Sequence, residues 1–146
     1  MLEQVKKNCI QSLKKPGLPI IIVAAVKEAE AIAHACKDVG INVSAFCDSE
    51  KRKSQESFCN LEVVHTPSLP KRFSKARFLI ATQQIQDVVE QLTELGYNEF
   101  YSALELIESY EVNKHQHMIS QPYMETRLAV YKKSHEVYFD KEKTYI

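Results

Sequence analysis

The 146-residue chain reads as an α/β domain: a small doubly wound, mainly parallel sheet followed by a C-terminal helix and an extended arm. Three observations lead there. Two short apolar runs, PIIIV at 19–23 and RFLIA at 77–81, have the composition of strands buried on both faces, as parallel strands covered by helices are. Two amphipathic stretches each close on a glycine, Gly40 and Gly96, where a left-handed C-cap belongs. Strand, tight turn, helix, glycine and strand also follow one another within residues 19–46, a βαβ unit whose crossover demands parallel strands.

Taken in order, Leu2 to Leu13 sets Leu2, Val5, Cys9, Ile10 and Leu13 at helical spacing, and Pro16-Gly17 ends that helix. Pro19–Val23 is the first strand. Glu28–Val39 is a helix with Ala29, Ile32, Ala33, Cys36 and Val39 on its apolar stripe, and INVSAF at 41–46 is the second strand. Residues 47–60 are polar and aperiodic, a loop; LEVVH at 61–65 is a short strand. TPSLPKRFS forms a loop or a single helical turn, and residues 77–81 return to the sheet. Thr82 is the candidate N-cap of a helix running through Leu95. NEFYSA at 98–103 is strand-like, and Leu104–Tyr110 a short helix.

After Val112 the texture changes. The expected organisation is an α/β domain over 1–112, then a linker, helix and extended arm over 113–146. Tyr123–Ser134 reads as a helix and HEVYFDKEKTYI as strand-like, either a linker ahead of a further domain or a terminal arm. Its aromatic residues, among them Tyr131, Tyr138 and Phe139, suit packing on the sheet or arm exchange with a second subunit.

Composition narrows the function classes. Nineteen basic and nineteen acidic residues cancel, which argues against a nucleic-acid footprint. No apolar stretch approaches the ~18 residues of a membrane span, and the N-terminus lacks the apolar core of a signal peptide, so the cytoplasm is the expected location and no membrane partner is expected. Cys9, Cys36, Cys47 and Cys59 form no CxxC pair and read as reduced thiols. Cys36 with His34, or Cys47 with Cys59, has no structural zinc spacing. His115 and His117 would share one side of a strand and could meet a metal with His135 or Asp140 through the fold; an exposed polar linker is the plainer reading.

In an open parallel sheet, ligands bind beyond the C-terminal strand ends, and the first strand–helix turn is where glycines admit a pyrophosphate. Here that turn is Ala24-Ala25-Val26-Lys27, and each Cβ takes space a phosphate needs. Glu28 in the first helical turn suits the helix dipole but repels an anion. Asp48, 24 residues after Ala24, sits where an acid about 20 residues on holds ribose hydroxyls; a turn-forming Asx residue is the alternative. Lys27, Lys51, Arg52 and Lys53 could attract an anion at that edge or form a solvated charge run.

The stretches PIIIVAAVKEAEAIAHACKDVGINVSAFCDSEKRK, LEVVHTPSLP and RFLIATQQIQDVVEQLTELGYNEFY together resemble the Rossmann-like N-terminal accessory domain of bacterial polysaccharide-cluster enzymes, over about residues 18–105. Such domains precede radical SAM, FkbM-type methyltransferase or sugar acyltransferase domains, and the tail from Glu125 looks most like the linker before a radical SAM barrel. The resemblance implies a Rossmann-like sheet and a downstream catalytic domain or homo-oligomer as partner. Where the family carries a Gly-Ala-Gly turn, this chain carries Ala24-Ala25-Val26, with Ala29 at the third glycine; Asp48 matches the family acid. The implied remnant of a nucleotide pocket is therefore Ala24, Ala25, Val26, Lys27 and Asp48.

No acid, base and nucleophile stand at a spacing chemistry requires, so no catalytic residue, metal or cofactor is expected in this chain. The leading expectation is a non-catalytic accessory domain with a degenerate nucleotide-binding site, serving partner or substrate positioning or oligomerisation as a dimer. The alternative is a nucleotide or nucleotide-sugar binding domain with a glycine-free turn, using Asp48 on the ribose and Lys27 on a phosphate.

Overall fold

The computed structural model describes residues 5–113 and 122–144. Six strands form one sheet: β1 (Val5–Lys6), β2 (Ile20–Val23), β3 (Ala45–Asp48), β4 (Val63–His65), β5 (Arg77–Ile80) and β6 (Phe100–Ser102). Their order across the sheet is β4-β3-β2-β5-β6-β1, and every ladder is parallel. This is a Rossmann-like order in which the N-terminal β1 fills the sixth place, and its direction reverses between β2 and β5.

Helices cover both faces, so the sheet is doubly wound. Ile20 and Ile22 of β2, Phe46 of β3 and Leu79 of β5 point into a core with α1 (Ile10–Lys14), α2 (Lys27–Val39) and α5 (Leu104–Asn113). Ile21 and Val23, Cys47, Phe78 and Ile80 point the other way, toward α3 (Leu69–Arg72) and α4 (Ile85–Glu94). The two-residue alternation of strand side chains thus separates two apolar layers, and continuous apolar runs fill both. Gly40 and Gly96 have φ of +86° and +101°, and Ile41 N–H and Tyr97 N–H bond back to Cys36 O and Leu92 O at 2.8 and 3.1 Å. Both glycines therefore close their helices as left-handed caps.

The expected N-terminal helix is instead a strand and a short helix. Val5 and Lys6 pair with Phe100 and Tyr101, extending the sheet, and the helix starts only at Ile10. Its first N–H groups, of Cys9 and Ile10, donate to Glu105 Oε1 at 2.7 and 3.0 Å, a cap delivered from α5. Thr82 is not a helix cap: α4 begins after Gln84, and Thr82 Oγ1 accepts the Gln84 N–H at 3.3 Å in a local turn.

The tail is corrected as well. The strand-like reading of HEVYFDKEKT gives way to one uninterrupted helix, α6 (Pro122–Thr144). Among the described side chains of α6, Leu128, Tyr131, His135 and Phe139 are buried, spaced three or four apart as the turns of a helix are. Leu128 and Tyr131 enter the α2/α5 core and Phe139 the α3/α4 core, so α6 crosses the sheet edge from one apolar layer to the other.

Candidate functional site at the C-terminal edge of the sheet

The reversal of strand order places the ligand crevice of such a sheet beyond the C-terminal ends of β2 and β5. Four segments border it here: the β2–α2 turn, the end of β3, residues 81–84 after β5, and Ser102-Ala103 after β6. The β2 and β5 segments are drawn together past their last ladder pair, with Ala81 N–H donating to Val23 O at 2.5 Å.

Asp48 is buried at the end of β3 and faces the β2–α2 turn. Its Oδ2 accepts Ala25 N–H at 3.0 Å and its Oδ1 accepts Glu50 N–H at 2.8 Å. Lys53 Nζ lies 3.4 Å from Oδ2 and donates to Ala25 O at 3.1 Å. The carboxylate and the lysine therefore clamp the turn from both sides, and the two oxygens that would meet a ribose are engaged. Ala25 is buried, Ala24 and Val26 are half-buried, and Lys27 is exposed as the first residue of α2. Val26 has φ −115°, so this turn uses no left-handed residue, and the Val23–Ala24 peptide bond is cis. Of the basic residues expected to attract an anion, Arg52 pairs with Glu50 at 3.3 Å and Lys53 with Asp48.

The crevice itself holds α6. His135 is wholly buried, its Nδ1 2.7 Å from Ser102 Oγ and its Nε2 2.8 Å from Thr82 O. The Thr82 carbonyl can only accept, so Nε2 carries the proton and Nδ1 accepts from the Ser102 hydroxyl. Ser102 Oγ in turn accepts Leu104 N–H at 3.1 Å. Burial lowers the His135 pKa against the opposing pull of the Thr82 carbonyl, so the neutral ring is favoured. One turn nearer its N-terminus, α6 offers Tyr131, whose hydroxyl donates to Glu28 Oε2 at 3.3 Å; one turn further, Arg127 Nε donates to Glu28 Oε1 at 2.6 Å. Burial would raise the Glu28 pKa, but the Arg127 hydrogen bond, a backbone hydrogen bond, the Arg127 charge and the Tyr131 hydroxyl together outweigh it and the net shift is downward. The Tyr131 hydroxyl is pushed up to about 12 by its own burial and by the Glu28 charge.

Grooves of about 290 and 370 Å³ remain on either side of α6. The first lies against the start of α4, between Gln84, Asp87, Ser134 and Tyr138. The second carries Glu105, Glu108, Glu136 and Asp140 with Lys7 and Lys133.

Among the described residues no three His, Cys, Asp or Glu side chains converge on a point. Burial pushes Cys36 and Cys47 up to about 12 and raises Cys9 as well, so these are protonated core groups. His115 and His117 lie outside the described residues. No described helix is long and apolar enough to cross a membrane.

Tyr131 and Phe139 pack on the sheet, as one of the two expectations for the tail aromatics had it, but the sequence reading placed neither Arg127 nor His135 in the crevice, nor Ser102 and Thr82 facing them. A signal was present. Arg127, Tyr131, His135 and Phe139 recur at intervals of four, R-x3-Y-x3-H-x3-F. At 3.6 residues per turn each step of four advances about 40°, so the stripe slants about 120° around the helix. That is the pattern of a helix that shows different sides to the two faces of a sheet while crossing its edge.

No family model, curated protein or solved structure matches this chain.

Proposed function

We propose that this chain is a non-catalytic Rossmann-like domain whose ligand crevice is closed by its own C-terminal helix. It serves as an accessory module that positions a partner or assembles copies of the protein. The observation that carries the reading is the seat of His135 on Ser102 and Thr82, in the crevice where a nucleotide would lie. Glu28 adds to it: a carboxylate at the head of α2, already paired with Arg127, opposes a phosphate at the position that ordinarily attracts one. The setting within a larger enzyme of surface-polysaccharide or sugar metabolism is carried by the residue pattern of 18–105 alone. Reading the coding DNA past codon 146 tests that setting. A catalytic domain of another class there, or none, removes it.

Calorimetric titration of the chain with NAD, UDP-sugars, coenzyme A and S-adenosylmethionine tests the closed crevice. No heat of binding is expected from any of them. Micromolar binding overturns the reading in favour of a nucleotide site with a glycine-free turn. In that event Asp48→Ala should weaken the complex by about 1–3 kcal/mol, the cost of a lost buried hydrogen-bond partner.

A further inference from the structure

We infer that the cavity between α2 and the turn ahead of β4 is a binding site for a short peptide with free termini. The inference goes beyond the closed-crevice reading. The cavity lies at the opposite, N-terminal edge of the sheet, and no described residue of α6 lines it. It measures about 570 Å³, larger than either groove beside α6 and within the range of small-molecule sites. Its floor is aliphatic, made by Ala33, Ile41, Val43 and Leu61.

Two opposite charges border that floor. Glu30 and Lys37 line the cavity from α2, two turns or about 10 Å apart along the helix, with His34 between them. Glu30 is half-buried, and its carboxylate lies near enough to the Cys59 thiol to raise the thiol pKa. Among the described residues, neither the Glu30 nor the Lys37 side chain has a partner in a hydrogen bond or an ion pair. The opposite wall is already formed. Phe58 and Leu61 exchange both backbone hydrogen bonds at 2.9 Å, and Phe58 packs edge-on against Phe46 with ring centroids 4.9 Å apart. Between them Cys59 and Asn60 hold φ of +51° and +63°. A left-handed cysteine is strained, and strain of this kind gathers at ligand clamps.

A tripeptide fits this arrangement group by group. Extended, it spans about 10 Å, the separation of the two charges. Its ammonium meets Glu30 and its carboxylate meets Lys37. The side-chain amides of Asn42 and Asn60, which both donate and accept, offer partners to its peptide groups. Its apolar side chains rest on the aliphatic floor. A phosphate would meet Glu30 and a simple cation would meet Lys37, so a zwitterion is the class that both charges favour.

The test is to titrate the full ¹⁵N-labelled chain with alanyl-leucyl-alanine and follow its amides by NMR. Saturable shifts are expected at residues 30–37, 41–43 and 59–61. The N-acetylated and the C-amidated peptide should each bind about tenfold more weakly, the loss of one charged hydrogen bond. Glu30→Gln should make acetylation of no consequence, and Lys37→Gln should do the same for amidation. The capped peptides decide the matter on the unvaried chain alone. No saturable shift in those segments, saturation only around the β2–α2 turn, or equal affinity for free and capped peptides overturns the inference. The peptide and nucleotide titrations address opposite edges of the sheet, so the two readings fail separately.

Discussion

The two edges of the sheet handle buried polarity in different ways. At the N-terminal edge one residue, Arg77, is buried at the start of β5. Its guanidinium donates to Leu18 O at 2.8 Å, Lys15 O at 3.0 Å and Ser12 O at 3.2 Å. All its acceptors are backbone carbonyls around the end of α1, so it ties chain segments that have no alternative partner. At the C-terminal edge the buried polar residues are Glu28, Asp48, Thr66, Ser102 and His135. There the contacts of Glu28, Ser102 and His135 join side chains of α6 to a crevice whose topology suits a ligand. The first edge is tied by one side chain to the backbone carbonyls of the segment that leads into β2. The second is closed by an element that can be withdrawn without breaking the sheet.

The hardest test of this contrast is Arg77→Ala. It leaves three carbonyls without their donor in a buried site, and a loss of about 3–4 kcal/mol in global stability is expected from the denaturant midpoint. His135→Ala should cost about 2–3 kcal/mol, from the cavity and from the unpaired Ser102 and Thr82 groups. The loss should be local. Hydrogen exchange is expected to accelerate in α6 while the β2 and β5 amides keep their protection. Equal acceleration in α6 and β5 would merge the two edges into one cooperative unit and break the comparison.

Acid should separate the edges in the same sense. The His135 pKa is lowered in the folded chain, so its contribution is complete above the ordinary 6.5 and declines as pH falls below that toward the folded value. Glu28 is lowered too, so its share is complete above the ordinary 4.5 and is lost as pH falls through its own folded value. Undocking of α6 is therefore expected in two stages on acidification, followed by exchange or by tryptic cleavage at Arg127. His135→Gln should remove the upper stage. The Arg77 seat, whose acceptors are all backbone carbonyls, should show neither.

Asp48→Ala is next in size, about 1–3 kcal/mol, because it strips the Ala25 and Glu50 N–H groups of their acceptor and leaves Lys53 without its carboxylate. Melting temperature reads it. It should leave exchange in α6 unchanged, since no Asp48 contact reaches that helix.

How far these edges were legible differs for physical reasons. The apolar runs 19–23 and 77–81, the glycine caps and the parallel order follow from local period and composition, and they stand in the sheet within a residue or two. The N-terminal strand was not legible, because Val5 and Lys6 become a strand only through the free edge of β6, a partner almost a hundred residues away. The same holds for the Glu105 cap on α1. Residues 135–144 carry β-favouring Val, Tyr and Phe, and the apolar seat of α6 overrides that preference. Asp48 was visible as an acid at a suggestive distance. That its two oxygens face the turn rather than open space depends on how Ala25 and Glu50 present their N–H groups, which spacing alone does not encode.

The smallest effect sets a turn at each edge against the other. Ahead of β4, Phe58 and Leu61 exchange both backbone hydrogen bonds at 2.9 Å across a two-residue turn, and Cys59 and Asn60 occupy it with φ of +51° and +63°. A left-handed Cys is strained, and the thiol brings no compensating chemistry: burial and the Glu30 carboxylate push it up to about 11. Cys59→Gly should therefore stabilise, by about 0.5–1 kcal/mol. Ala25→Gly, which moves the β2–α2 turn toward the glycine pattern of nucleotide-binding domains, should do the reverse. Val26 at φ −115° and its neighbours need no left-handed freedom, so the substitution gains nothing in the folded turn, loses a buried methyl and loosens the unfolded chain, at about 1–2 kcal/mol. It should also leave the nucleotide titrations flat, because α6 still fills the crevice. Thermal melts of the two variants with opposite signs would show that glycine is missing where the backbone calls for it and absent without cost where a phosphate would have required it.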